Sequence, residues 1–132
     1  MSEETRQESP QGEISLRMLA MPADANPSGN IFGGWVMGHM DIAGAIHTGG
    51  YTSARTVTVA VDAMKFHKPI HVGDEVTCYT SVARVGRTSI TILVETWVRR
   101  RHSANPVKVT EGRFTYVALD TAGNPIEISR KA

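Results

Sequence analysis

The chain reads as an α+β domain in which one sheet of long, curved strands wraps a single helix. Three observations predict this. Five separate stretches alternate apolar and polar residues with the period of a strand, whereas only residues 32–48 carry a helical pattern. Several of the strands run to ten residues or more, and strands of that length in a small domain must twist and coil. The one helix is broadly apolar, so a curved sheet is the surface that can bury it.

Each element follows from local pattern. Residues 1–12 are polar and include Pro10, so they are expected as a disordered tail before a single domain at 13–128. Ile14, Leu16, Met18 and Ala20 alternate with Ser15 and Arg17, which predicts a first strand. Pro22 to Gly29 is rich in Pro, Asp, Asn and Gly and reads as a loop. The helix is expected to end near the Gly49-Gly50 pair. Val57, Val59 and Val61 then alternate with Thr56, Thr58 and Ala60. Val76, Cys78, Thr80 and Val82 make the next strand, and Ile90, Ile92, Val94 and Val98 another. Val107, Val109, Thr115, Val117 and Leu119 make the last. Breaks fall at Pro69 to Asp74, Val85 to Arg87 and Ser103 to Pro106, and the short Gly86 turn implies an antiparallel hairpin.

Composition narrows the function. The 132 residues suffice for one domain, and 41% hydrophobic with 20% charged residues is the balance of a soluble globular protein. A net charge of +1 sets up no strong field for nucleic acid or membrane, so neither is expected as a partner. The single Cys78 excludes an internal disulfide and is compatible with a reducing cytoplasm, the location expected. The first thirteen residues hold no signal-peptide core, and no apolar run approaches the roughly 20 residues of a membrane span.

The chemistry lies on the helix. Asp41 is the only acidic residue between Asp24 and Asp62. At about 100° per residue, Val36, Met40, Ala43 and His47 share the face expected to meet the sheet, with Phe32, Trp35, His39 and Ile46 beside it. Asp41 then points nearly opposite, on a stripe with Gly34, Gly38 and Ala45. Two readings stand: a solvated carboxylate, or a reactive one on a stripe of small residues that lets a ligand or another backbone approach. Gly34 and Gly38 favour the second, because each costs a helix about 1 kcal/mol against Ala and a solvated face has no need of them. Gly33 and Gly34 at the helix start can turn N–H groups outward, where the helix dipole adds to their attraction for a developing oxyanion. Asn30 serves either as the helix cap or to position a water.

Geometry constrains this set. Gly34 and Asp41 are seven residues apart, about 10 Å along one helix, too far to hold one carbonyl together. Two antiparallel copies of the helix bring one N-terminus beside the other copy's Asp41, so a working site requires a symmetric dimer.

Several motifs then match a family. Ala20-Met21-Pro22, Asn30-Ile31-Phe32-Gly33-Gly34-Trp35, Met40-Asp41, Thr56 to Asp62, Lys68-Pro69-Ile70, Val72-Gly73-Asp74 and Val85-Gly86-Arg87-Thr88-Ser89-Ile90 resemble the hotdog-fold acyl-CoA thioesterases, specifically the bacterial YciA-like group. The resemblance spans roughly residues 14–120. It implies a curved antiparallel sheet around a central helix, a dimer with a continuous sheet, and often a trimer of dimers, a homohexamer. It implies hydrolysis of acyl-CoA to CoA and a carboxylic acid, with a place in fatty-acid metabolism and no cofactor beyond the CoA thioester that is the substrate. The catalytic carboxylate falls on Asp41, the polar residue before the helix on Asn30, and the oxyanion donor on the Gly33-Gly34 pair, with Gly34 as the N–H. The turn Arg87-Thr88-Ser89 resembles the segment that contacts the CoA nucleotide, and Lys68 adds charge for the substrate.

The residues alone leave Arg87, Thr88 and Ser89 as either a phosphate contact or a solvated hairpin tip. Arg99, Arg100, Arg101 and His102 read as a solvated strand end. His39 lies about 200° from Asp41 around the helix, which excludes a dyad, and His67 and His71 lack further ligands at metal-site spacing, so no metal is expected. Asp41 acts as general base on water or as nucleophile through a mixed anhydride. Two rival functions remain: a hotdog dehydratase or isomerase, which needs a His paired with an acid, and an acyl-CoA sensor, which could dispense with Asp41.

Overall fold

A computed structural model describes residues 9–132; residues 1–8, most of the expected tail, lie outside the described residues. The chain runs β1 (Glu13–Leu19), a 3-10 turn (Pro22–Asp24), α1 (Gly33–Tyr51), β2 (Arg55–Phe66), β3 (Glu75–Val85), β4 (Ser89–Arg99) and β5 (Val107–Leu119). All five strands join one antiparallel sheet in the order β1-β3-β4-β5-β2. The helix packs against every strand, as a sheet curled around it requires. Val36, Met40 and Ala43 meet Ile90, Ile92, Val94, Val98, Phe114, Tyr116 and Ala118 in one core.

The helix differs from expectation at its end. It continues through Gly49 and Gly50 to Tyr51, where Thr52 donates its N–H back to Thr48 O. The end is held from outside: Lys131 donates from its main chain to Tyr51 O at 2.7 Å and from Nζ to Gly49 O at 2.8 Å. Those two bonds satisfy carbonyls that a helix terminus leaves open, so the glycines need not terminate it. At the other boundary, Gln11 N–H bonds the Glu95 carboxylate at 3.3 Å, and Gly12, at φ +99, lies where a Cβ would strike Thr80 O. The stretch expected as tail is therefore docked from Gln11 onward.

Bulges reset which residues face the core. Thr58 pairs with Tyr116 and Val61 with Phe114, with a register shift between Thr58 and Ala60. Paired residues share a sheet face, so the extra residue breaks the expected Val57, Val59, Val61 alternation. All three valines stay at least 37% exposed, on a strand whose outer edge is unpaired. In β5 the shift opposite Thr96 and Trp97 moves the buried set to Phe114, Tyr116 and Ala118 instead of Thr115, Val117 and Leu119.

The basic run at the end of β4 is not simply solvated. Arg99 pairs with Glu75 at 2.8 Å. Arg100 donates to the buried Asp74 carboxylate and to Pro69 O at 3.0 Å, tying the β2–β3 connection to the sheet. Asp74 also accepts the His71 N–H at 2.9 Å. Arg100→Ala leaves a buried carboxylate short of its cation and is expected to lower stability by about 2 kcal/mol. Denaturant midpoints check this; a loss below about 0.5 kcal/mol would show that the pair is replaceable by water.

Candidate functional site

The loop before the helix is built by backbone bonds. Asn26 donates to Asn30 O at 2.7 Å, Asn30 N–H returns a bond to Asn26 Oδ1 at 3.1 Å, and Ile31 N–H reaches Ile70 O at 2.8 Å. Asn30 does not cap the helix. The cap position is Phe32, and no side chain accepts from the first turn there. This corrects one of the two readings of Asn30, because the chain enters the helix two residues later than a cap at Asn30 requires. The Asn30 side chain instead lines a cleft of about 310 Å³ with Gly33, Val36, Phe66, Lys68 and Ile70. Phe66 packs at 3.4 Å from where a Gly33 Cβ would stand. Gly34 is open, with nothing within 4 Å of the same position on its own backbone. The early N–H groups of the helix thus sit at a small-residue mouth beside Lys68, where partial positive charge favours an anion.

Asp41 lies further along the rod. Eight residues separate it from Gly33, about 12 Å at 1.5 Å per residue. Its carboxylate is half-buried and is not on the side opposite the core. The buried set is Val36, Met40, Ala43, Gly44 and Thr48, which turns the helix so that Asp41 sits at the margin of the sheet-facing sector. His47 stays within the sheet-facing sector, where it bonds Thr80 Oγ1 at 2.9 Å and Glu13 at 3.1 Å. Phe32 and Ile46, expected beside the core face, are 50% and 49% exposed. The physical reason is Gly44: without a side chain it lets the sheet approach the helix on the Asp41 side.

That approach gives Asp41 two donors that sequence patterning missed. Thr58 Oγ1 donates to Asp41 Oδ1 at 2.7 Å, and Tyr116 Oη donates to the same oxygen at 3.0 Å. Tyr116 also reaches the Asp41 main-chain O at 2.7 Å. Both bonds to the carboxylate fall on Oδ1, which leaves Oδ2 unpaired among the described residues. Burial pushes the Tyr116 phenol far above its ordinary range, and the Asp41 charge and hydrogen bond push the same way, so it stays a donor. A carboxylate held on one oxygen and open on the other can take a proton from water or attack a carbonyl. His39 is turned away, bonding Trp35 O at 2.7 Å with its ring tilted 43° to the Trp35 ring.

The remaining site residues stand apart within one chain. Lys68 follows β2 and donates its N–H to Val109 O. Arg87, Thr88 and Ser89 turn between β3 and β4, at the end of the sheet where Arg55 pairs with Leu119. The turn is anchored, with Ala118 N–H on Thr88 O and Ile128 N–H on Arg87 O, both at 2.9 Å, while the Arg87 side chain is exposed. One chain therefore gathers Asn30, Gly33 and Lys68 at one end, holds Asp41 in the middle, and keeps Arg87 at the other end.

Among the described residues, no three His, Cys, Asp or Glu side chains are placed to hold a metal ion, and no helix is long and apolar enough to cross a membrane. Cys78 is buried against Thr96, and burial pushes its thiol up, as for core filling.

One helix wrapped by a five-stranded antiparallel sheet, with an acid at mid-helix, is a hotdog fold. The comparisons place it further: the thioesterase superfamily model matches residues 28–104, and the chain belongs to that family, within its YciA-like group. The acyl-CoA thioester hydrolase YciA of Salmonella typhimurium is 49% identical over 125 residues, covering 92% of this chain and 93% of the relative. A hexameric thioesterase of Yersinia pestis superposes with a TM-score of 0.87 at 50% identity, covering 91% of this chain and 98% of that one. A hexameric hotdog-fold thioesterase of Campylobacter jejuni gives 0.83 at 40% identity, covering 89% and 91%.

Proposed function

We propose that this protein hydrolyses acyl-CoA thioesters to CoA and a carboxylic acid, in sites each shared by two chains. The observation that carries the reading is Asp41: a carboxylate at mid-helix, held on one oxygen by Thr58 and Tyr116 and open on the other. The acyl-CoA substrate class is that of the Salmonella relative.

Asp41 takes a proton from water as the oxygen adds to the thioester carbonyl. The carbonyl oxygen becomes an oxyanion at the Gly34 N–H, with Asn30 orienting the attacking water. Collapse breaks the C–S bond, and the proton passes to the departing CoA sulfur. In the alternative route Asp41 adds to the carbonyl, expels the thiolate and forms a mixed anhydride that water opens. Either route closes without a cofactor. Gly33 and Lys68 hold the acyl-proximal end of the substrate, and Arg87, Thr88 and Ser89 the nucleotide phosphates.

About 10 Å along the helix separates Gly34 from Asp41 within a chain, so the oxyanion donor comes from a second copy. The unpaired edge of β2, with exposed Val57, Val59 and Val61, is the surface that supports such a pairing, extending the sheet across a twofold axis. A hexamer, here built from three such dimers, is supported by the hexameric Yersinia and Campylobacter relatives. A cytoplasmic location fits the single unpaired Cys78.

Asp41→Asn is expected to keep the fold and assembly while lowering turnover at least about a hundredfold, read by thiol release from a panel of acyl-CoA substrates. Near-normal turnover would remove Asp41 from the mechanism. Arg87→Ala is expected to raise KM for acyl-CoA much more than it lowers kcat, because a remote phosphate contact is uniform binding. The effect should vanish with an acyl-pantetheine thioester that lacks the nucleotide; an equal loss on both substrates would mean that Arg87 acts through structure.

A further inference from the structure

We propose that Tyr116 is a positioning residue for Asp41 and that Gly44 is a glycine in order to admit it. The proposal rests on the catalytic reading of Asp41 and names what holds that side chain in place.

Tyr116 is 1% exposed, and its hydroxyl reaches the helix, where its hydrogen bonds go to a single residue, Asp41. It sits between the main-chain oxygen and the carboxylate of Asp41, at 2.7 and 3.0 Å. One phenolic hydrogen shared by two oxygens of the same residue ties the side chain to its own backbone. A flexible acid, free to rotate about two torsions, is thereby confined to one orientation. The second donor, Thr58, is directly opposite Tyr116 on the neighbouring strand. The spacing of the two donors is therefore set by the strand pairing of β2 and β5. Tyr116 is the buried member of the pair, so it works as a fixed post that solvent does not replace.

Gly44 supplies the second, independent observation. A Cβ on Gly44 would lie 2.2 Å from Tyr116 Oη, 2.9 Å from Cζ and 3.0 Å from Cε2. All three atoms belong to one rigid phenol, so relief requires the ring to move as a whole. Gly44 is three residues beyond Asp41, on the adjoining part of the same helix face. A buried glycine within a helix costs stability against alanine. Here the absent side chain is the space in which the phenol reaches the carboxylate. Exposed Gly34 and Gly38 have nothing comparable near them.

The test compares Tyr116→Phe, Gly44→Ala and Asp41→Asn, singly and in pairs, in the assembled protein with acyl-CoA as substrate. Tyr116→Phe keeps the ring and removes only the hydroxyl. It is expected to lower kcat at least tenfold with KM within twofold, since the lost bond orients a reacting group. Added to Asp41→Asn, the same change is expected to alter residual turnover less than twofold, because the group it positions is already gone. Gly44→Ala is expected to lower kcat in the same Asp41-dependent way. It should also lower the melting temperature by less in the Tyr116→Phe background, where the atom at 2.2 Å is absent. A Tyr116→Phe enzyme with kcat within twofold of wild type overturns the proposal. So does a loss of the same size with and without the Asp41 carboxylate, which marks a packing role. Should Tyr116→Phe fail to assemble, the Asp41 dependence of the Gly44→Ala loss decides by the same criterion. An active Asp41→Asn enzyme overturns the catalytic reading itself; an inactive one beside an active Tyr116→Phe overturns only the positioning.

Discussion

The structure depends on one constraint: a straight helix of nineteen residues, about 28 Å long, enclosed by a sheet that touches it with all five strands. A rod cannot fold back on itself. Whatever chemistry its two ends and its middle carry must stay apart in one chain. The helix start offers N–H groups beside Asn30 and Lys68, the middle offers Asp41, and the far end, tied by Lys131, lies toward the arginine turn. Bringing those parts together takes a second rod in the opposite direction. The exposed, unpaired edge of β2 is where a second copy can dock without disturbing the core. On the proposed reading, fold, assembly and reaction are one problem, and a twofold axis would solve it.

Within that frame the carboxylate is treated unlike an ordinary surface acid. Thr58 and Tyr116 spend their hydrogen bonds on the same oxygen. The two donors fix that oxygen in place without covering Oδ2. The arrangement costs the helix a glycine at position 44 and leaves Gly34 and Gly38 open on its surface. Packing within one chain explains the first. Among the described residues nothing packs on the other two, as is expected of a face that a second helix would cover.

The helix, the five strands and the choice of Asp41 as the candidate acid came from the sequence, because a lone acid on an apolar helix and long alternating strands are strong local signals. Its two donors did not. Thr58 hid in a run of alternating valines and Tyr116 in a strand whose β-branched residues suggested the other face. In both strands a bulge decides which side is inward, and a bulge is set by pairing partners far away in sequence, which alternation alone does not register. The same limit explains Arg100: as part of a basic run it looks solvated, and only the fold supplies the buried Asp74 that it serves. The proposal of a two-chain site comes from the sequence for the opposite reason. The rise of a helix per residue is invariant, so a spacing of seven residues is already a distance.

The most direct test of the shared site mixes two disabled chains. One carries Asp41→Asn and the other Asn30→Ala, each with its own affinity tag, after each alone has been found poorly active. If Asp41 of one copy works with Asn30 of its partner, a mixed dimer has one site with both defects and one with neither. Doubly tagged dimers, confirmed by native mass spectrometry, should then recover activity toward half that of wild type. Doubly tagged dimers that remain at the level of the single variants would contradict the account and place Asn30 and Asp41 in one chain's own site.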